Sequence, residues 1–188
     1  MGGKWSMKRV LCLFVFLLCF SSASYADAYH NDKFGFSLDI PVEFKNMPSP
    51  ASFSIASYTN EKIFLQLRYI NPQDTYSGST FGTTTKTEIE KFIKRQRLAA
   101  ALNTAKFKFS TYDTHITAKG FPYVWAMFVA NININEDNFR TYMLRNYFLK
   151  NHIIIELDFI IPEEELPQSK AMINNMIASF EFDEPRQL

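Results

Sequence analysis

The chain has 188 residues, with 20 Lys plus Arg against 19 Asp plus Glu, 47% hydrophobic residues and 16% aromatics. That is the composition of one globular domain, so wholesale disorder and a pair of large domains are excluded, and the near-neutral charge carries no footprint for nucleic acid. Two cysteines exclude a miniprotein built on disulfides.

Residues 7–26 read as a secretory signal. Lys8 and Arg9 give a positive start, residues 10–20 form an apolar run of 11, and Ser24-Tyr25-Ala26 places small residues where a signal peptidase cuts. The run is short for a membrane span, which takes about 20 residues. Cleavage is expected after Ala26, with Ala28 as the alternative site and an uncleaved anchor as the alternative fate; membrane contact is expected only in that last case. Met1-Gly2-Gly3-Lys4-Trp5-Ser6 fits the myristoylation pattern, but a lipid at Gly2 competes with export, and Met7 begins a more typical signal. Cys12 and Cys19 follow Leu11 and Leu18, not the small residue expected before a lipidated cysteine.

Cleavage removes Lys4, Lys8, Arg9 and both cysteines but no acid, leaving 17 bases against 19 acids, a charge of −2. Thiol chemistry and cysteine-zinc sites leave with the leader. The absence of an Asn-x-Ser/Thr sequon gives no support to a eukaryotic secretory route. The reading is a bacterial envelope protein with a short extension over residues 27–33, one domain over 34–182 and a polar tail over 183–188.

Within that domain, Phe34, Phe36, Leu38 and Ile40 alternate with polar residues up to Pro41, as in a half-buried strand. Residues 52–58 and 62–70 predict a hairpin. Residues 71–85 hold Pro72, Gly78, Gly82 and many hydroxyls, a loop long enough to suggest function or mobility. Thr85-x-x-Glu88 is a capping box opening a helix over 87–103. Its Lys91, Lys94, Arg95 and Arg97 read as a solvated face balanced by Glu88 and Glu90, with contact to anionic lipid or protein as the alternative. Residues 106–117 alternate loosely. Gly120-Phe121-Pro122 turns the chain, and three long strands then follow over 123–134, 139–149 and 152–161, joined by tight turns, with Lys150-Asn151 as the second turn. Pro162 ends the sheet, residues 163–168 form an acidic linker, and Met172, Ile173, Met176, Ile177 and Phe180 have helical spacing.

Apolar residues on both faces of the strands predict cover on both sides. The fold class is therefore α+β, an antiparallel sheet of about six strands in an α/β/α layered sandwich. The opening Phe-Gly-Phe-Ser-Leu-Asp-Ile-Pro of residues 34–41 and the closing Ala178-Ser179-Phe180-Glu181-Phe182 resemble the PsbP-like superfamily, over residues 34–182. Pro41-Val42-Glu43-Phe44 departs from the Pro-x-x-Trp form of many relatives. The resemblance implies a non-catalytic binding or accessory domain with no shared active site to carry over.

No Gly-x-Ser-x-Gly elbow, HExxH or Walker-type loop occurs, and no cofactor is expected. His152, Glu156 and Asp158 share a strand face by period two and have donors suited to a divalent ion. His152 and Glu156 lie roughly 13 Å apart along a strand, so the preferred reading is a polar patch paired with Arg140, Arg145 or Lys150. Tyr123, Trp125 and Met127 form core if covered and a contact surface if not. Tyr76 and Phe81 are candidate gate or contact residues in the long loop. The expected function is an exported protein that binds another envelope or secreted protein through residues 71–85 and the adjacent sheet end. The alternatives are a carrier of a lipid or other apolar ligand, suggested by 16 Phe outside the leader, and a small hydrolase using His115 or His152.

Overall fold

The computed structural model describes residues 26–48, 54–71, 75–103, 107–134 and 137–183. The signal segment, the Gly2 pattern, Cys12, Cys19 and nearly all of the polar tail lie outside the described residues.

The long strands behave as their alternation dictates. A seven-stranded antiparallel sheet runs in the order β3-β4-β5-β9-β8-β7-β6. Its strands are β3 (Lys45–Met47), β4 (Ser54–Thr59), β5 (Phe64–Ile70), β6 (Lys108–Ile116), β7 (Pro122–Ile134), β8 (Asp137–Lys150) and β9 (Ile153–Pro162). A smaller sheet, β1-β2-β10, joins β1 (Ala26–Asn31), β2 (Phe36–Pro41) and β10 (Glu181–Phe182). Helix α1 (Lys86–Asn103) covers one face of the large sheet, and helix α2 (Leu166–Ser179) with the small sheet covers the other. The class is the α+β class the alternation implies, with seven strands and a second sheet in place of about six strands. Residues 27–33, read as an extension, supply most of β1.

On the α2 side, Leu65, Leu67, Phe148, Leu157 and Phe159 are buried under Ile173, Met176 and Ile177. Phe180 is the keystone. Its ring stacks on Phe148 of β8 at 3.8 Å and on Phe36 of β2 at 5.5 Å, tying the small sheet to the large one. On the α1 side, Ile89, Phe92, Ile93 and Ala100 pack on Val124, Phe128 and Tyr147, and Phe92 meets the Tyr147 ring edge-on at 4.9 Å.

The capping box forms as predicted. Thr85 N–H donates to Glu88 Oε2 at 3.0 Å, and Glu88 N–H returns to Thr85 Oγ1 at 3.4 Å. Ser77 adds its N–H and hydroxyl to the same carboxylate, at 2.9 and 2.6 Å, so Glu88 also pins the long loop. The Ser77 and Thr85 hydrogen bonds favour the anion and hold its pKa down at about 2. Gly78 allows that loop to close: a Cβ there would lie 2.3 Å from the Thr83 carbonyl carbon.

Two local differences have plain causes. Asn151 and His152, with φ of 48° and 69°, form the β8–β9 turn, and Lys150 pairs with Ile153, so the turn sits one residue later than Lys150-Asn151. A bulge between Phe109 and Thr111 resets β6, which is why its alternation reads as loose.

Removing the keystone ring leaves a cavity between the two sheets. Phe180→Ala is expected to cost ~3–5 kcal/mol in urea unfolding, and a Phe180→Leu variant is expected to recover most of it. A loss below about 1 kcal/mol in Phe180→Ala would show that the small sheet docks by other contacts.

Candidate functional site

Four charged side chains meet on the α1 face of the sheet. Arg68 on β5 and Arg145 on β8 flank Glu156 and Asp158 on β9, because Arg68 pairs in register with Glu156 and Arg145 with Asp158. Arg68 Nη2 donates to Glu156 Oε1, and to Asp158 Oδ2 at 2.9 Å. Arg145 Nε approaches the same two oxygens at 3.0 and 3.3 Å. Arg145 also lies over the Phe128 ring at 5.0 Å. Side-chain exposure is 7% for Arg145, 2% for Glu156 and 5% for Asp158, so these charges have exchanged water for one another.

Burial raises the Asp158 pKa, the Arg145 charge opposes that, the neighbouring Glu156 adds to it, and the group titrates at about 6. Its Oδ1 has no hydrogen-bond partner among the described residues, which leaves a position for the proton. For Arg145, burial pushes the pKa down but Glu156 and Asp158 outweigh it, so the guanidinium stays charged. The Tyr147 hydroxyl beside them is driven well up, by burial first and Glu156 second.

This geometry corrects the metal reading. His152 is an exposed turn residue outside β9. Glu156 and Asp158 face into the sheet's cover and are held by arginines, and no cluster of three or more potential metal ligands forms among the described residues. Arg145 was legible as a partner; Arg68 was not, being 88 residues away in sequence from Glu156. Of the other histidines, His30 pairs with Asp32 at 3.1 Å and His115 lies 3.9 Å from Asp113, both at the surface.

The long-loop candidates are also corrected. Tyr76 and Phe81 are 5% and 3% exposed and pack on Phe92, so they are part of the core under the loop. The residues that remain accessible are Tyr123, Trp125 and Met127, all half-buried on the α2 side of β7. With Leu144, Ile173 and Ile177 they line an open groove of about 550 Å³ between the end of the sheet and α2, with His115, Lys170 and Asn174 also lining it. Trp125 meets the His115 ring edge-on at 6.3 Å, and burial raises the Tyr123 pKa. An apolar wall with a few polar groups beside it is the usual build of a recognition site. The period-two spacing in β7 was the signal; that α2 stops short of these side chains was not readable from it.

No family model matches the chain, and none of the curated proteins matches it in sequence. Solved structures do match. Cyanobacterial PsbP (CyanoP) from Synechocystis aligns with a TM-score of 0.61 at 10% identity, over 87% of this chain and 95% of that one. LpqN of Mycobacterium tuberculosis, described as involved in cell envelope biogenesis, aligns with a TM-score of 0.50 at 10% identity, over 84% of this chain and 90% of that one. The fold is therefore PsbP-like, as the two terminal segments suggested.

The buried quartet has a pH signature. Asp158 titrates above the value of about 4 for a free aspartate, so the folded protein binds the extra proton. The stability this contributes is complete below pH ~4 and is lost as pH rises through about 6. The urea midpoint should carry that falling component between pH 4 and 7, and Asp158→Asn should remove it. The same pH slope in both proteins would refute the assignment.

Proposed function

We infer that this protein is an exported, non-catalytic binding module of the bacterial envelope, and that its contact site is the groove formed by Tyr123, Trp125, Met127 and α2. The observation that carries this reading is the contrast between the two polar or aromatic constellations of the sheet. The acids on β9 are buried and paired with arginines of the neighbouring strands, so they present no open site at the surface. The aromatic strip on β7 is left open at a concave surface. Such a strip offers large contact area at low conformational cost, which suits recognition. The secretory pattern of residues 7–26 and the PsbP-like fold support an extracytoplasmic location, and the described residues include no helix long and apolar enough to cross a membrane.

A second reading, a carrier of a lipid or other apolar ligand, draws on the same apolar wall. The groove's volume suits a few side chains or one small ligand. Its open shape favours a protein partner over storage. Native mass spectrometry separates the two, since a carrier retains a co-purified ligand and a partner-binding module emerges at the mass of the polypeptide alone.

The leader gives one test. N-terminal sequencing of the protein recovered from cells should begin at Asp27, and a chain beginning at Met1 or Met7 would contradict export with cleavage. The groove gives another. The two tryptophans are Trp5 and Trp125, and cleavage after Ala26 removes Trp5, so indole emission of the mature protein reports the groove. Anilinonaphthalene sulfonate should quench that emission saturably, and Met127→Glu should weaken its binding at least about tenfold, the loss of a well-placed apolar contact. Binding indifferent to Met127→Glu would place the apolar surface elsewhere.

A further inference from the structure

Strand β6 ends the large sheet, and among the described residues it pairs with β7 alone. The opposite edge is blunted, because β3 has only three residues. β6 has nine, most of them exposed, with no proline and with regular pairing from Thr111 to Ile116 beyond its bulge. Ile116 at its end is 71% exposed. A long edge left open in this way presents a row of backbone donors and acceptors to an incoming strand.

The two faces flanking that edge differ in chemistry. On the α2 side lies the aromatic groove of Trp125 and Tyr123, which reaches β6 at His115 and Ile116. On the α1 side, a trough of about 1080 Å³ runs between α1 and the first half of β6, and a second of about 680 Å³ follows its second half, with Tyr112 lining both. The larger trough is lined by five basic side chains and one acid, Glu90. Lys94, Arg97 and Lys108 have no carboxylate within 4 Å among the described residues; Arg97 lies over the Phe109 ring at 4.4 Å. Glu88, which the sequence offered as a counter-charge for this face, stays ionised but is held by Ser77 and Thr85 and does not line the larger trough. The larger trough is therefore lined by more base than acid.

We propose that β6 accepts an extended segment of a partner protein as an eighth strand, with acidic side chains toward α1 and apolar ones toward α2. An extended strand sends successive side chains to opposite faces, so a segment alternating acidic and apolar residues satisfies the cationic trough and the aromatic groove at once. Main-chain hydrogen bonds to β6 supply register, and the two faces supply selectivity. Charge complementarity selects the acidic class of segment. A second copy of this chain fits less well, because its own β6 contributes one base and one acid, Lys108 and Asp113, and so brings a single acid to Lys94, Arg97 and Lys108. The proposal rests on the groove reading above and specifies the form of the partner.

The probe is an acetylated, amidated octapeptide alternating Glu with Val and Phe, compared with its Lys-for-Glu counterpart, and amide hydrogen exchange is followed in the full chain. The acidic peptide should slow alternate amides of residues 111–116 at least tenfold. Lys94→Glu combined with Arg97→Glu, both surface changes, should weaken its binding about tenfold or more, as two attractions become repulsions. Unchanged β6 exchange at saturating acidic peptide overturns the proposal, as does equal protection by the lysine peptide. Two further results overturn it in favour of other occupants: β6 amides already protected in a dimer without peptide, or protected by vesicles of anionic phospholipid. If anilinonaphthalene sulfonate still reports the groove through Trp125 while the peptide fails, the groove reading stands and strand addition alone is rejected.

Discussion

The central strands β8 and β9 are buried on both faces, and that constraint organises the rest of the molecule. A sheet with two dry faces needs two covers. Helix α1 and the loop pinned by Glu88 provide one, and helix α2 with the small sheet provides the other, held through the Phe36–Phe180–Phe148 stack. Any polar group in the middle of such a layer must find its partners within it. Arg68, Arg145, Glu156 and Asp158 are the consequence: two cations and two anions on three adjacent strands, with no net charge to bury. Replacing one member leaves an uncompensated charge, which costs far more than the whole set contributes. The set therefore locks the register of β5, β9 and β8, and its chemistry is spent on structure.

The cover runs out at one margin. Neither helix reaches fully over β6, and the side chains of β7 next to it stay half open. The basic side of α1 borders the same strand. Structure and recognition thus divide along the sheet, with a closed centre and an exposed end. The PsbP-like architecture accounts for the layers.

Much of this was legible in the sequence wherever a short-range signal controls the outcome. Thr85 and Glu88 are three residues apart, and their capping box set the start of α1 to within one residue. The apolar spacing of Met172 to Phe180 marked α2, and alternation marked β7 to β9. What was not legible depends on long-range pairing. The Ala-Asp-Ala-Tyr-His-Asn run of β1 has no apolar alternation, because most of its residues are exposed, and only the ladder to β2 makes it a strand. Arg68 joins Glu156 across 88 residues, a contact no local pattern encodes. His152 was placed on a strand face by extending period two one residue too far into a turn. Tyr76 and Phe81 stand among Gly, Ser and Thr, which reads as loop, yet Phe92 draws both rings into the core.

The central claim is that recognition occurs at the β6 end of the sheet, and site-specific photocrosslinking in cells of the native organism tests it most directly. Benzoylphenylalanine at Ile116 probes that end, and the same group at Val42, also exposed but just before β3 at the opposite edge, is the control. The account predicts discrete protein adducts from position 116 and none from position 42. Adducts from position 42 with none from position 116 would contradict it.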